Sequence, residues 1–102
     1  MKKNVEKIIE LLLSKDSESV LLGIKMIPFV KFYRYIKENK PKNYKLVLLL
    51  MRNRNYLEFI WHPFHNYYLI RMNKSGWCSF PIGAPYLVQL YQKFENENLG
   101  TT

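Results

Sequence analysis

The chain has 102 residues, of which 48% are hydrophobic and 16% aromatic, and its formal net charge is +8. This length and this apolar content are typical of a single globular domain over 1–102 and exclude a disordered tail or two separate cores. The longest purely apolar run, LVLLLM at 46–51, is much shorter than the roughly 20 residues of a membrane-spanning helix. We therefore expect no membrane segment.

The positive charge is concentrated in one third of the chain. Residues 25–54 contain nine basic side chains and one acidic side chain, so this segment alone carries +8 and the remainder is neutral. Such asymmetry indicates a polyanionic or acidic partner.

The single cysteine, Cys78, excludes an internal disulfide, and charged residues interrupt the apolar stretch that begins at Val5. A secretory signal is not indicated, and we expect a cytoplasmic protein.

The first third of the chain predicts two or three helices. Apolar residues recur at helical spacing over 4–14, and Asp16 or Ser17 can cap a second helix that ends near Met26. Pro28 either kinks that helix or begins a third one. The third helical segment has an apolar stripe formed by Phe29, Phe32, Tyr33 and Ile36. Its opposite side carries Lys31, Arg34, Tyr35 and Glu38.

The middle of the chain predicts an antiparallel meander. Alternating apolar residues and short turn sequences indicate four strands, at 44–52, 56–62, 67–73 and 77–81. The turn lengths place Glu58 opposite both Leu50 and Arg71, and Arg71 opposite Cys78. The first strand is apolar on both faces, although a meander leaves it at the sheet edge. Either helices cover both of its faces, or the strand at 46–51 docks a second copy or another partner.

A C-terminal helix follows Pro85, with Leu87, Leu90, Tyr91 and Phe94 on one stripe. The predicted fold class is therefore α+β. It consists of an N-terminal helical hairpin of two or three helices, a three- to four-stranded antiparallel β-meander and a C-terminal helix. We expect the helices to cover the sheet face that bears Trp61 and Trp77. A winged helix–turn–helix has the same order of elements and is the main variant.

The segment WHPFHNYY at 61–68 contains both histidines of the chain. With Cys78, His62 and His65 could supply three zinc ligands, but the predicted register separates the cysteine from the turn by on the order of 10 Å. The same distance excludes a cysteine–histidine catalytic pair. We predict a strand–turn–strand corner with Trp61 and Tyr68 as cross-strand neighbours. No paired acids, phosphate loop or nucleophile elbow is present, so we expect no metal, no cofactor and no enzymatic activity.

The basic stretch KFYRYIKENKPKNYK carries the main functional signal. Nucleic-acid surfaces combine lysine and arginine for phosphates with aromatic rings for unstacked bases. We hypothesise a small non-catalytic binding module whose basic segment engages a polyanion, with nucleic acid as the first choice. The predicted phosphate contacts are Lys31, Arg34, Lys40, Lys42, Arg52 and Arg54, and Tyr35 is the predicted stacking group.

A second hypothesis is a protein-binding inhibitor or adaptor, of the kind that phages encode or that is paired with toxins. Its basic face would meet an acidic protein partner. Salt sensitivity alone does not separate the two hypotheses, because electrostatic steering between proteins also weakens with salt. A charged outer helix face is also an ordinary feature of a soluble domain.

Overall fold

The computed structural model describes residues 2–62, 67–72, 76–79 and 83–100, and its side chains are described for 4–55, Leu57 and 83–97. The helices of this part are α1 (Lys2–Leu12), α2 (Ser17–Met26), α3 (Phe29–Asn39), α4 (Tyr44–Arg52) and α5 (Ala84–Gly100). A 3-10 turn at Arg54–Tyr56 leads from α4 into three short strands. They are β1 (Leu57–His62), β2 (Tyr67–Met72) and β3 (Gly76–Ser79).

The predicted α+β fold class is wrong. Of the residues whose side chains the structure describes, 81% are helical, and the five helices form the packed body of this part of the protein. The segment predicted as the first strand, 44–52, is helix α4. A short apolar run cannot be assigned to strand or helix from periodicity alone, and leucine is among the better helix formers. Burial decides between them, because Val47, Leu50 and Met51 share the buried face at helical spacing while Leu49 is exposed.

The helical assignment of 46–51 also removes the strand edge that was predicted there. The backbone donors and acceptors of α4 bond within the helix, so this segment presents no strand edge. The strand on which a second copy or a partner was predicted to dock is therefore not formed at 46–51, and the docking itself stays untested. Within the described residues, none of the helices combines the length and the apolar character needed to cross a membrane.

The backbones of the three short strands pair in the order β1–β2–β3, and β1 lies alongside α2. Glu58 pairs with Arg71, as predicted. Arg71 pairs with Trp77 on the other side, so its predicted pairing with Cys78 is out by one residue. The turn of the 61–68 corner, at 63–66, lies outside the described residues, as do the side chains that would form the predicted core face of the sheet.

Local sequence explains how α1 and α2 form a hairpin. Asp16 is the N-cap of α2, and its carboxylate accepts hydrogen bonds from the Ser19 amide and the Ser19 hydroxyl at 3.3 and 2.8 Å. Gly23 then lets the two helices approach closely. A Cβ placed there would lie 3.0 Å from Cβ of Leu11 and 3.2 Å from the backbone nitrogen of Leu12.

The turn between α3 and α4 contains two residues in the left-handed region. Lys40 ends α3 with a φ of 47°, and Asn43 precedes α4 with a φ of 59°. Asparagine tolerates this conformation better than most residues, whereas lysine gains no such local compensation. Helix α5 supports the turn, because the Tyr86 hydroxyl donates a hydrogen bond to the Lys42 carbonyl oxygen.

The C-terminal helix completes the core. Phe32 of α3 is fully buried, and its ring meets those of Tyr91 and Phe94 at centroid distances of 6.0 and 5.4 Å. Burial raises the pKa of Tyr91 to about 12, helped by the charge of Glu95 and by the hydrogen bond to it. This aromatic cluster fixes one face of α3 inward and so determines which of its side chains can meet a ligand.

Candidate functional site

The outer side of α3 lines an open concavity. Its volume is about 560 Å³, and its lining consists of Phe29, Val30, Tyr33, Arg34, Lys37 and Glu38. Arg34 and Lys37 are exposed, and Val30 is 66% exposed. The opposite side of the same helix buries Phe32 and Ile36 completely. The helix is therefore anchored by its apolar stripe and exposes a side that is cationic with an apolar centre.

Two arginines from beyond α3 join this side. An Arg52 guanidinium nitrogen lies 3.4 Å from the Tyr33 hydroxyl oxygen, to which it donates. The Arg54 guanidinium carbon lies 4.3 Å from the centroid of the Phe29 ring, which is a cation–π arrangement. We call the set Phe29, Tyr33, Arg34, Lys37, Arg52 and Arg54 the arginine–aromatic surface.

The Arg54 side chain is only partly exposed. Its Nε is buried and has no hydrogen-bond partner in the described part of the chain. An unsatisfied buried donor costs about 1–3 kcal/mol, and a cation–π contact returns about 0.5–2 kcal/mol. The ring of Phe29 thus offsets much of the cost of placing this guanidinium against the protein.

The structure brings together only some of the residues predicted from the sequence. Arg34, Arg52 and Arg54 belong to the arginine–aromatic surface. Lys31 is exposed, and helical geometry places it about 60° around α3 from Arg34 and about 160° from Tyr33. Lys40 and Lys42 are exposed on the turn at the far end of α3. They extend the positive charge without lining the concavity.

Tyr35, the predicted stacking group, lies outside the arginine–aromatic surface and packs against α5. Its ring is half-buried and meets Phe94 of α5 at a centroid distance of 5.4 Å. Its pKa is raised by burial first, and then by the charge of Glu97 and the hydrogen bond to it. Of the ring residues on α3, Phe29 and Tyr33 are the ones that contact arginines, although their spacing had assigned them to the core stripe.

Sequence reasoning therefore missed Phe29, Tyr33 and Lys37 as members of the surface. Their spacing at i, i+4 and i+8 is a signal that could have found them, because such residues form one ridge along a helix. That ridge borders the apolar stripe. The position of α4 and of the turn after it shows which residues of the ridge contact arginines, and this position cannot be derived from the spacing.

The part of the chain that the structure describes holds no group of three or more histidine, cysteine, aspartate or glutamate side chains arranged to bind a metal ion. Comparisons with protein-family models, with curated proteins and with solved structures give no match to this chain.

Proposed function

We propose that the protein binds nucleic acid through the arginine–aromatic surface. The observation that carries the proposal is the convergence of Arg52 and Arg54 on the side of α3 that already bears Arg34 and Lys37. Arg34 and Lys37 line the concavity, in which Glu38 is the one acidic lining residue. Arg52 and Arg54 contact Tyr33 and Phe29, two rings that also line it. A polyanion is the ligand that offsets such a concentration of charge.

The kind of side chain also supports a phosphate ligand. Three of the four cations are arginines, whose planar guanidinium groups match the geometry of phosphate oxygens and are less strongly hydrated than lysine. Lys40 and Lys42 would add contacts at the far end of α3, and Lys31 would contribute to the field around the helix. In this proposal these three residues lie at the periphery of the interface.

The salt dependence of binding tests the proposal. Each phosphate contact contributes about −0.9 to the slope of log K against log salt on duplex DNA, so four contacts predict a slope of about −3.6. We propose anisotropy titrations with labelled duplex DNA, single-stranded DNA and RNA over a series of salt concentrations. Absence of binding to all three at low salt would refute the proposal.

A pair of double variants distinguishes the effect of the arginine–aromatic surface on binding from the effect of the net charge. Arg34→Ala/Lys37→Ala removes two cations of the surface, and Lys7→Ala/Lys93→Ala removes two exposed lysines from α1 and α5. The first variant should reduce the slope by about 1.8, and the second should leave it nearly unchanged. Equal weakening in both variants would show that only the overall charge matters and would contradict this location.

An acidic protein is the second candidate partner, and Val30 is the observation that favours it. This side chain is 66% exposed and lines the concavity beside Arg34 and Lys37, and protein interfaces combine apolar residues with arginines. Val30→Ser should weaken a protein complex but leave nucleic-acid affinity within about twofold, because the charges are unchanged. A nuclease-resistant, stoichiometric partner that Val30→Ser releases would favour this candidate over the first.

A further inference from the structure

We infer, on the basis of the proposed function, that the surface recognises the phosphate backbone and not the bases. Phe29 and Tyr33 would then be positioning residues for Arg54 and Arg52. Recognition of unstacked bases requires a ring with an open face on which a base can stack. Among the side chains that the structure describes, the rings that contact these arginines are instead engaged in contacts within the protein.

Phe29 is the clearest case. One face of its ring is covered by the Arg54 guanidinium at 4.3 Å, and Tyr33 lies beside it with a centroid distance of 5.3 Å and an interplanar angle of 40°. A base could reach the covered face only by displacing the arginine. That displacement would remove a phosphate contact from the same surface, so stacking and charge recognition would compete here.

The two tyrosines of α3, Tyr33 and Tyr35, also have partners within the protein. The hydroxyl oxygen of Tyr33 accepts a hydrogen bond from Arg52, and the ring is partly buried against the core. Tyr35 is turned towards α5, where its ring meets Phe94. Each ring has therefore a protein partner that fixes its position.

Arginines that are already held by aromatic rings favour the binding of a phosphate ligand. An arginine side chain loses rotamer entropy when it is immobilised. A side chain that is already held by a ring loses less when it binds, so more of its interaction with phosphate contributes to affinity. The backbone of any sequence presents the same phosphates, and base identity should have little effect.

The first test compares two single-stranded oligonucleotides of equal length and charge, one with normal bases and one in which abasic sugars replace them. We expect dissociation constants within about twofold at the same salt concentration. Stacking would instead make the abasic oligonucleotide weaker by about fivefold or more for each base lost. Such a loss would overturn the inference while leaving nucleic-acid binding intact, whereas no binding of either oligonucleotide would refute the proposed function as well.

The second test examines the positioning role. Tyr33→Phe removes only the hydroxyl that Arg52 contacts, and we expect it to weaken both oligonucleotides by the same factor, about two- to fivefold. Tyr35→Phe is the matched control, because its hydroxyl faces Glu97, and it should have no effect. In the Arg52→Ala background, Tyr33→Phe should also have no further effect. Additive losses in this double-mutant cycle would contradict the positioning role.

Discussion

Replacing Gly23 by alanine tests the packing of the helical hairpin. Gly23 lies inside α2, where glycine is less favourable than alanine by about 0.5–1 kcal/mol. On helix propensity alone, Gly23→Ala should stabilise the protein. The structure predicts the opposite result.

The magnitude follows from the atoms that the new methyl group would meet. It would lie 3.0 Å from Cβ of Leu11 and 3.2 Å from the backbone nitrogen of Leu12. Both atoms are fixed to the α1 backbone, so a side-chain rotation cannot relieve the contact and the two helices must separate. Overpacking of this kind costs about 1–3 kcal/mol. After the gain in propensity is subtracted, we expect a net loss of about 1 kcal/mol.

Urea and thermal denaturation followed by circular dichroism measure this loss. In a domain of this size, about 1 kcal/mol corresponds to a decrease in Tm of about 4–8 °C. Lys25→Ala, at an exposed position of the same helix, is the control and should change stability by less than about 0.5 kcal/mol. If Gly23→Ala raises Tm, the close approach of α1 and α2 described above is incorrect.

Three further predictions follow from the same structure. Asp16→Ala removes the N-cap of α2 and should lower the free energy of unfolding by about 0.5–2 kcal/mol in urea denaturation. Tyr86→Phe deletes the hydroxyl that donates to the Lys42 carbonyl and should cost about 0.5–1.5 kcal/mol in the same assay. Tyr91, with its pKa raised to about 12, should be among the last tyrosines to ionise in an absorbance titration. Its raised pKa contributes stability below the unfolded value near 10, and this contribution is lost as the pH rises towards 12.

The predictions for Asp16 and Tyr91 each have a control. Glu18→Ala alters an exposed acid in the first turn of α2 without removing the cap, so a loss equal to that of Asp16→Ala would contradict the capping argument. Glu95→Gln should lower the pKa of Tyr91 without restoring the ordinary value, because burial is the larger cause. A high-pH transition that persists unchanged in Tyr91→Phe would show that another group is responsible.

The helices at both ends of the chain could be predicted from the sequence because their signals are local. The cap at Asp16, the proline at 28 and the helical stripe that contains Phe32 each depend on neighbouring residues only. Helix α4 could not be predicted in this way. Its apolar run has no polar residue between Leu46 and Met51 to reveal a period, and the choice of helix depends on burial against the other helices.

The candidate site could also be predicted only in part from the sequence. The concentration of cations at 25–54 was visible in the sequence, but a count of charges does not show which side of α3 they share. The convergence of Arg52 and Arg54 on Tyr33 and Phe29 spans 19 and 25 positions along the chain. It arises because α4 turns back on α3, and the prediction of a strand at 44–52 removed that possibility.

The packing of α5 has a consequence for the order of events during synthesis. Its residues Leu87, Tyr91 and Phe94 complete a core to which α1 and α3 contribute earlier in the chain. Ribosomes deliver the N-terminal part of a protein first, at about 5–20 residues per second. The Phe32 ring therefore lacks its contacts with Tyr91 and Phe94 until α5 has been synthesised. During that interval the nascent chain exposes apolar surface beside a strongly cationic segment, close to the RNA of the ribosome that makes it.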